Sequence, residues 1–227
     1  MVRMLHSGAG LQSRNFFLNL KAPIVCIDSE KISEEVLLGL VDTIPQIGNS
    51  CCYTSQDESL NHPASGSFLR ECGEKNVNVG LVTNGVLIDK YLDEIMTSCS
   101  WVSVGIITSS ASKYAENGGS AIEFYKIFNN IKSLVRRRTS EFPRVILSFY
   151  MIPDNCTDVY DCAKIGKDIG VDFFNILPCL KKGSVWYPEM LSKTFKTIDR
   201  AVRLSTNNYK IYNFVINFNE VVSLSVV

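Results

Sequence analysis

This sequence has no excess of either charge, no apolar run of membrane-spanning length, no cysteines in C-x2-C spacing and only two histidines. Its 23 lysines and arginines match its 23 aspartates and glutamates, so no long-range field favours a nucleic acid or an anionic lipid surface as partner. No stretch approaches the roughly 20 apolar residues that cross a bilayer. The start, Met1-Val2-Arg3-Met4-Leu5, lacks the apolar block and small-residue cleavage site of a secretory signal. The expectation is a cytoplasmic protein with neither a membrane nor a nucleic acid among its partners. His6, in the first strand pattern, and His62, before Pro63 at a helix start, offer no ligand pair. Eight cysteines are scattered through strand and helix patterns. A chain this large needs no covalent staples, so thiols are expected rather than a disulfide framework.

Apolar residues make up 46% of the 227 positions, enough to bury the core of one domain spanning residues 1–227. Their spacing alternates between two periods: short β-branched runs, then longer segments at helical spacing. The first helix has Ser33 as N-cap, Ile32 placed to staple onto Leu37, and Val36, Leu37, Leu40, Val41 and Ile44 on one face, with Pro45 as its stop. A strand over 49–54 and a helix over 65–74 follow. A second clear strand, Val77 to Val82, runs into Thr83-Asn84-Gly85, whose Asn-Gly pair marks a turn.

Asp89 is placed to cap the next helix, in which Leu92, Ile95, Met96 and Cys99 share a face, and Trp101 to Ile107 forms a strand. Ser120 and Glu123 make a capping box that opens a long helix with Phe124, Ile127, Phe128, Ile131 and Val135 on one side. Arg136-Arg137-Arg138 closes it, favourably placed against the helix dipole. Strands over 144–152 and 171–177 flank a helix over 157–169 that Gly170 ends. The last helix, 189–204, points Leu191, Phe195, Ile198 and Val202 inward, and a strand over 209–218 follows. The apolar, uncapped end Val221 to Val227 reads as that of a C-terminally truncated chain. Strands joined by helices run parallel with right-handed crossovers, which leaves an open doubly wound sheet or a full or partial barrel. In either architecture ligands bind at the C-terminal ends of the strands.

The order of these segments, from about Arg3 to Pro178, resembles the core of the radical S-adenosylmethionine (SAM) enzymes. The pieces that carry the resemblance are Gly80-Leu81-Val82-Thr83-Asn84-Gly85, the long helix after a loop containing Tyr114, Ile152-Pro153-Asp154-Asn155, and Gly170-Val171-Asp172-Phe173. The resemblance implies an α/β fold, a partial (β/α)6 TIM-like barrel of parallel strands. It also implies the family's cofactors, SAM and a [4Fe-4S] cluster held by C-x3-C-x2-C. Thiolates hold the cluster irons, and the iron without a protein ligand chelates SAM so that an electron can enter the sulfonium.

Set against that motif, Leu18-Asn19-Leu20-Lys21-Ala22-Pro23-Ile24-Val25 has the shape of the cluster loop without its ligands. The cysteine positions fall on Leu18, Ala22 and Val25, with Cys26 one residue out of frame. The family's Gly-Gly-Glu-Pro turn aligns with Ser55-Gln56-Asp57-Glu58-Ser59, where only Glu58 is kept. At the end of the fourth strand, Gly105 and Ile107 replace polar residues. The resemblance leaves Glu58, Thr83, Asn84 and Ser148 as cofactor-binding candidates, with no metal ligand. Ser148 and Asn155 also have ordinary readings, as a strand hydroxyl and a turn cap. The expectation is a scaffold inactive in the family reaction that binds a nucleoside or a protein partner. Two enzymatic alternatives stand beside it: a site rebuilt from Cys26, Cys51 or Cys52, Cys156 and Cys179, or a metal or acid–base site using Asp57, Glu58 and Asp154.

Overall fold

The computed structural model describes residues 25–55, 57–179 and 188–214. Seven strands form one parallel sheet: β1 (Val25–Asp28), β2 (Ser50–Thr54), β3 (Asn78–Thr83), β4 (Cys99–Ile106), β5 (Arg144–Met151), β6 (Phe173–Pro178) and β7 (Lys210–Asn213). Their spatial order is their order in the chain, β1 to β7. Right-handed crossovers between strands that never reverse direction of growth put every connecting helix on one face of the sheet. A doubly wound sheet needs a reversal, and there is none, so the chain has the partial-barrel form of an α/β fold, with the sheet not closed.

The helices are α1 (Glu34–Ile47), α2 (Ser65–Glu74), α3 (Leu92–Ser98), α4 (Ala111–Glu116), α5 (Ala121–Arg137), α6 (Val159–Ile169) and α7 (Pro188–Val202). Alternate strand residues face them: Cys51 and Tyr53, Val79 and Leu81, Val102 and Val104, Val145, Leu147 and Phe149, and Phe174 and Ile176 join Leu37, Phe68, Ile95, Ile131 and Ile198 in the main core. The capping box forms as expected, with Ser120 accepting from the Glu123 N–H at 3.1 Å and Glu123 accepting from the Ser120 N–H at 3.0 Å. Gly170 ends α6 in the left-handed region, φ +90°, which a residue without Cβ enters freely.

Several boundaries and faces depart from the sequence pattern. Pro45 does not stop α1. Its missing N–H removes one bond in the last turn only, and the N–H groups of Gly48 and Asn49 both close that turn on the Ile44 carbonyl. Val36 is 52% exposed, because burial on α1 is a narrow stripe of Leu37, Val41 and Ile44. Asp89 sits inside a 3-10 turn, Ile88–Tyr91, where it pairs with Lys126. Another 3-10 turn, Pro153–Asp158, precedes α6. On α7 Phe195 and Val202 are exposed, while Thr194, Ile198 and Ala201 are buried, so the inward stripe is rotated towards smaller residues. Leu18, Ala22, His6, the part of the last strand beyond Phe214 and the apolar end all lie outside the described residues, as does the side chain of Leu191. Val25 opens β1, in register with Cys51, rather than ending a loop.

Candidate functional site

The sheet face turned away from the helices is built in levels set by the strand register. Its lower level is apolar: Cys52, Val82, Trp101, Ile146 and Phe173 pack together. Gly80 makes room for this plug, since a Cβ there would lie 1.9 Å from the Trp101 ring. Above it the register sets Gly105 beside Ser148 and Ser148 beside Asn175. The Ser148 and Ser103 hydroxyls are hydrogen-bonded at 2.8 Å. Both are buried, and so is Asn175, whose Oδ1 has no hydrogen-bond partner among the described residues. Higher again, Tyr150 and Leu177 pack with Ile107 and Cys179. The inner face therefore holds a polar layer between two apolar ones.

Beside this layer, at the C-terminal ends of β2 and β3, Glu58 organises the chain. Its Oε1 accepts from the Thr83 hydroxyl at 2.6 Å and the Leu60 N–H at 3.0 Å, and its Oε2 accepts from the Asn84 N–H at 2.6 Å. Asn84 Oδ1 accepts from the Val86 N–H at 2.9 Å, shaping the turn at Gly85. Asn130 on α5 donates to the Gly85 carbonyl at 2.8 Å, so the long helix holds this turn in place. Burial pushes the Glu58 carboxyl above its ordinary range, against the pull of these hydrogen bonds.

Glu58, Thr83 and Asn84 thus come together, with Glu58 committed to the backbone and to Thr83. Ser148 stands apart from them, in the polar layer. Asn155 is used as a turn cap: its amide donates to the carbonyls of Ile107 and Tyr150 and its Oδ1 accepts from the Ile152 N–H. Ser103 and Asn175 escaped the sequence reading, which on the fourth strand considered polar groups only at its end and on the sixth none. Alternation was the available signal, since Trp101, Ser103 and Gly105 share one face of β4, and Phe173, Asn175 and Leu177 one face of β6.

Of the thiols of the rebuilt site, the register sets Cys26 beside Cys52 on neighbouring strands, and the others do not join them in a group of three. Cys51 and Cys52 lie mid-strand on opposite faces of β2, Cys156 is in the main core and Cys179 beside Tyr150. A hydrogen bond with Cys72 and then burial hold the Cys51 thiol far above its ordinary pKa, and burial pushes Cys99 up to about 12. Thiols so held are protonated and make poor metal ligands or nucleophiles. Asp57 and Asp154 are exposed while Glu58 is buried. Among the described residues no group of three or more histidines, cysteines or carboxylates is placed to hold a metal ion. Leu18, Ala22 and Val25, which the sequence alignment expects at the cluster-ligand positions, have aliphatic side chains with no lone pair to offer iron.

No protein family's sequence profile and no curated protein sequence matches this chain. Solved structures do. SuiB from Streptococcus suis, solved bound to S-adenosylmethionine, superposes with a TM-score of 0.65 over 89% of this chain and 54% of its own, at 10% identity. TYW1 solved with a lysine-pyruvate adduct gives 0.51 over 73% of this chain and 58% of its own, at 15% identity. Archaeal TYW1 gives 0.50 over 79% and 70%, at 12% identity. These neighbours are radical SAM enzymes, and the chain has a radical SAM-like core fold. It spans little more than half of SuiB and of the adduct-bound TYW1.

Proposed function

We propose that this chain is a radical SAM-like barrel that binds a nucleoside-type ligand on its inner face and does not run reductive cleavage of S-adenosylmethionine. The observation that carries the binding half is Asn175. A buried carbonyl oxygen without a donor costs about 1–3 kcal/mol, and this one belongs to a residue in register with Ser148 on the neighbouring strand. A nucleoside supplies what the site lacks, hydroxyl and amine donors on a flat apolar body. The Glu58–Thr83–Asn84 unit holds the rim through the backbone rather than by direct contact. SAM is the family's example of such a ligand, and SuiB was solved with it bound.

The catalytic half rests on the donor set. Electron transfer to a sulfonium requires an iron site that chelates the methionyl group, and aliphatic side chains at all three ligand positions remove it. Two measurements test the reading. S-adenosylhomocysteine binding, followed by calorimetry, is expected to be saturable in the parent and at least tenfold weaker in Ser148→Val and Asn175→Leu; equal affinity in all three would discard the inner-face site. Iron and sulfide content after anaerobic reconstitution is expected to stay near zero in the parent. In a variant carrying Leu18→Cys, Ala22→Cys and Val25→Cys it should rise to about four irons per chain. A parent that itself takes up about four irons overturns the loss of radical chemistry.

A further inference from the structure

At the opposite, N-terminal end of the strands, a cavity of about 830 Å3 opens between the loops that lead into β5, β6 and β7. Asp172 forms its floor. The carboxylate is buried, accepts from the Val145 N–H at 2.8 Å, and is gripped by the Arg138 and Arg144 guanidinium groups, with Arg144 also paired to Glu141. This network balances itself, two cations against two carboxylates, and welds the three loops together.

The rest of the lining is not balanced. Lys167 near the end of α6 and Lys210 at the start of β7 line the same cavity, and among the described residues neither has a carboxylate within ion-pair distance. Between them the loop into β7 contributes Asn207 and Asn208, whose side-chain amides make no hydrogen bond with any described residue. The loop itself is ordered by its own contacts: the Tyr209 N–H donates to Thr206 Oγ1 at 3.1 Å, the Thr206 N–H donates to the Tyr209 carbonyl at 2.8 Å, and the Tyr209 hydroxyl donates to the Ala163 carbonyl at 2.6 Å. Two surplus ammonium groups and two uncommitted amides thus line one space.

We infer that this cavity binds a small phosphate-bearing molecule, with Lys167 and Lys210 as the charge partners and Asn207 and Asn208 as hydrogen-bond donors. Ammonium groups are point-charge phosphate binders. The already neutralised floor keeps the carboxylates from repelling the anion. The volume lies within the range of small-molecule sites and exceeds what a phosphate fills, leaving room beside Phe173 and Tyr212, whose rings lie 5.9 Å apart. The site shares no residue with the polar layer of the inner face, so it stands or falls independently of the nucleoside reading.

Inorganic pyrophosphate is the probe, titrated into the full chain by calorimetry at low salt. Binding at one saturable site is expected for the parent. It should persist in the control Lys132→Glu with Lys193→Glu, which carries the same charge change on exposed lysines elsewhere. It should weaken at least tenfold in Lys167→Glu with Lys210→Glu, and by an intermediate factor in Lys167→Gln with Lys210→Gln. Circular dichroism and the thermal midpoint establish that all variants fold. Absence of saturable binding in the parent, or equal weakening in the control and the pocket variant, overturns the proposal.

Discussion

At the scale of single residues, Glu58 is the position where burial and hydrogen bonding oppose each other most directly. Burial raises its pKa above the ordinary value of 4.5, and the Thr83 hydroxyl and the Asn84 and Leu60 amides pull it down without cancelling the rise. The native state therefore holds this proton more tightly than the unfolded chain does. The stabilisation from that difference is fully present below about 4.5 and is lost as pH rises through the raised folded value. Urea unfolding of the parent and of Glu58→Gln at pH 7 and pH 5 measures it. The parent is expected to gain stability relative to the variant as pH falls. A relative loss would mean that the three donors outweigh desolvation. The sequence made Glu58 legible only as the surviving residue of a turn; that its carboxylate faces Thr83 and the backbone, rather than an open pocket, follows from how β2 and β3 lie side by side.

At the scale of elements, the pairing of β3 with β4 shows how one small residue sets a surface. The register shifts between Val79 and Gly80, and Trp101 then lies across Gly80. The plug at the base of the inner face depends on that close approach. Gly80→Ala is expected to lower stability by about 1–3 kcal/mol, the usual range for overpacking a tight core, read from the urea midpoint at unchanged slope. A neutral result would mean that the indole moves aside without loss. Helices α1 and α5 were legible because their N-caps and apolar stripes are local signals, and α2 also begins and ends at the expected residues. The inward face of α7 was not. Which residues of a helix are buried depends on its rotation against its neighbours, and a small residue such as Ala201 carries little periodic signal although it is fully buried.

At the scale of the molecule, each interior strand is hydrogen-bonded on both sides and covered by helices on one face, whereas among the described residues β1 and β7 have one strand neighbour each. Native-state hydrogen exchange is expected to be slowest in β3, β4 and β5 and faster in β1 and β7, because opening free energy rises with the number of contacts an element must break. Uniform protection across all seven strands would contradict this gradient. The sequence by itself determined that the protein is a parallel α/β chain with α1 and α5 capped by Ser33 and Ser120, because periodicity and capping act over a few neighbouring residues. It also determined that Leu18, Ala22 and Val25 cannot ligate iron, because that is a property of side-chain chemistry alone. Only the tertiary structure decided that the sheet grows without reversal, that Ser103, Ser148 and Asn175 meet in one polar layer, and that Lys167, Lys210, Asn207 and Asn208 surround one cavity. Those juxtapositions join residues distant in the chain, and strand register and crossover geometry, which no local pattern encodes, bring them together.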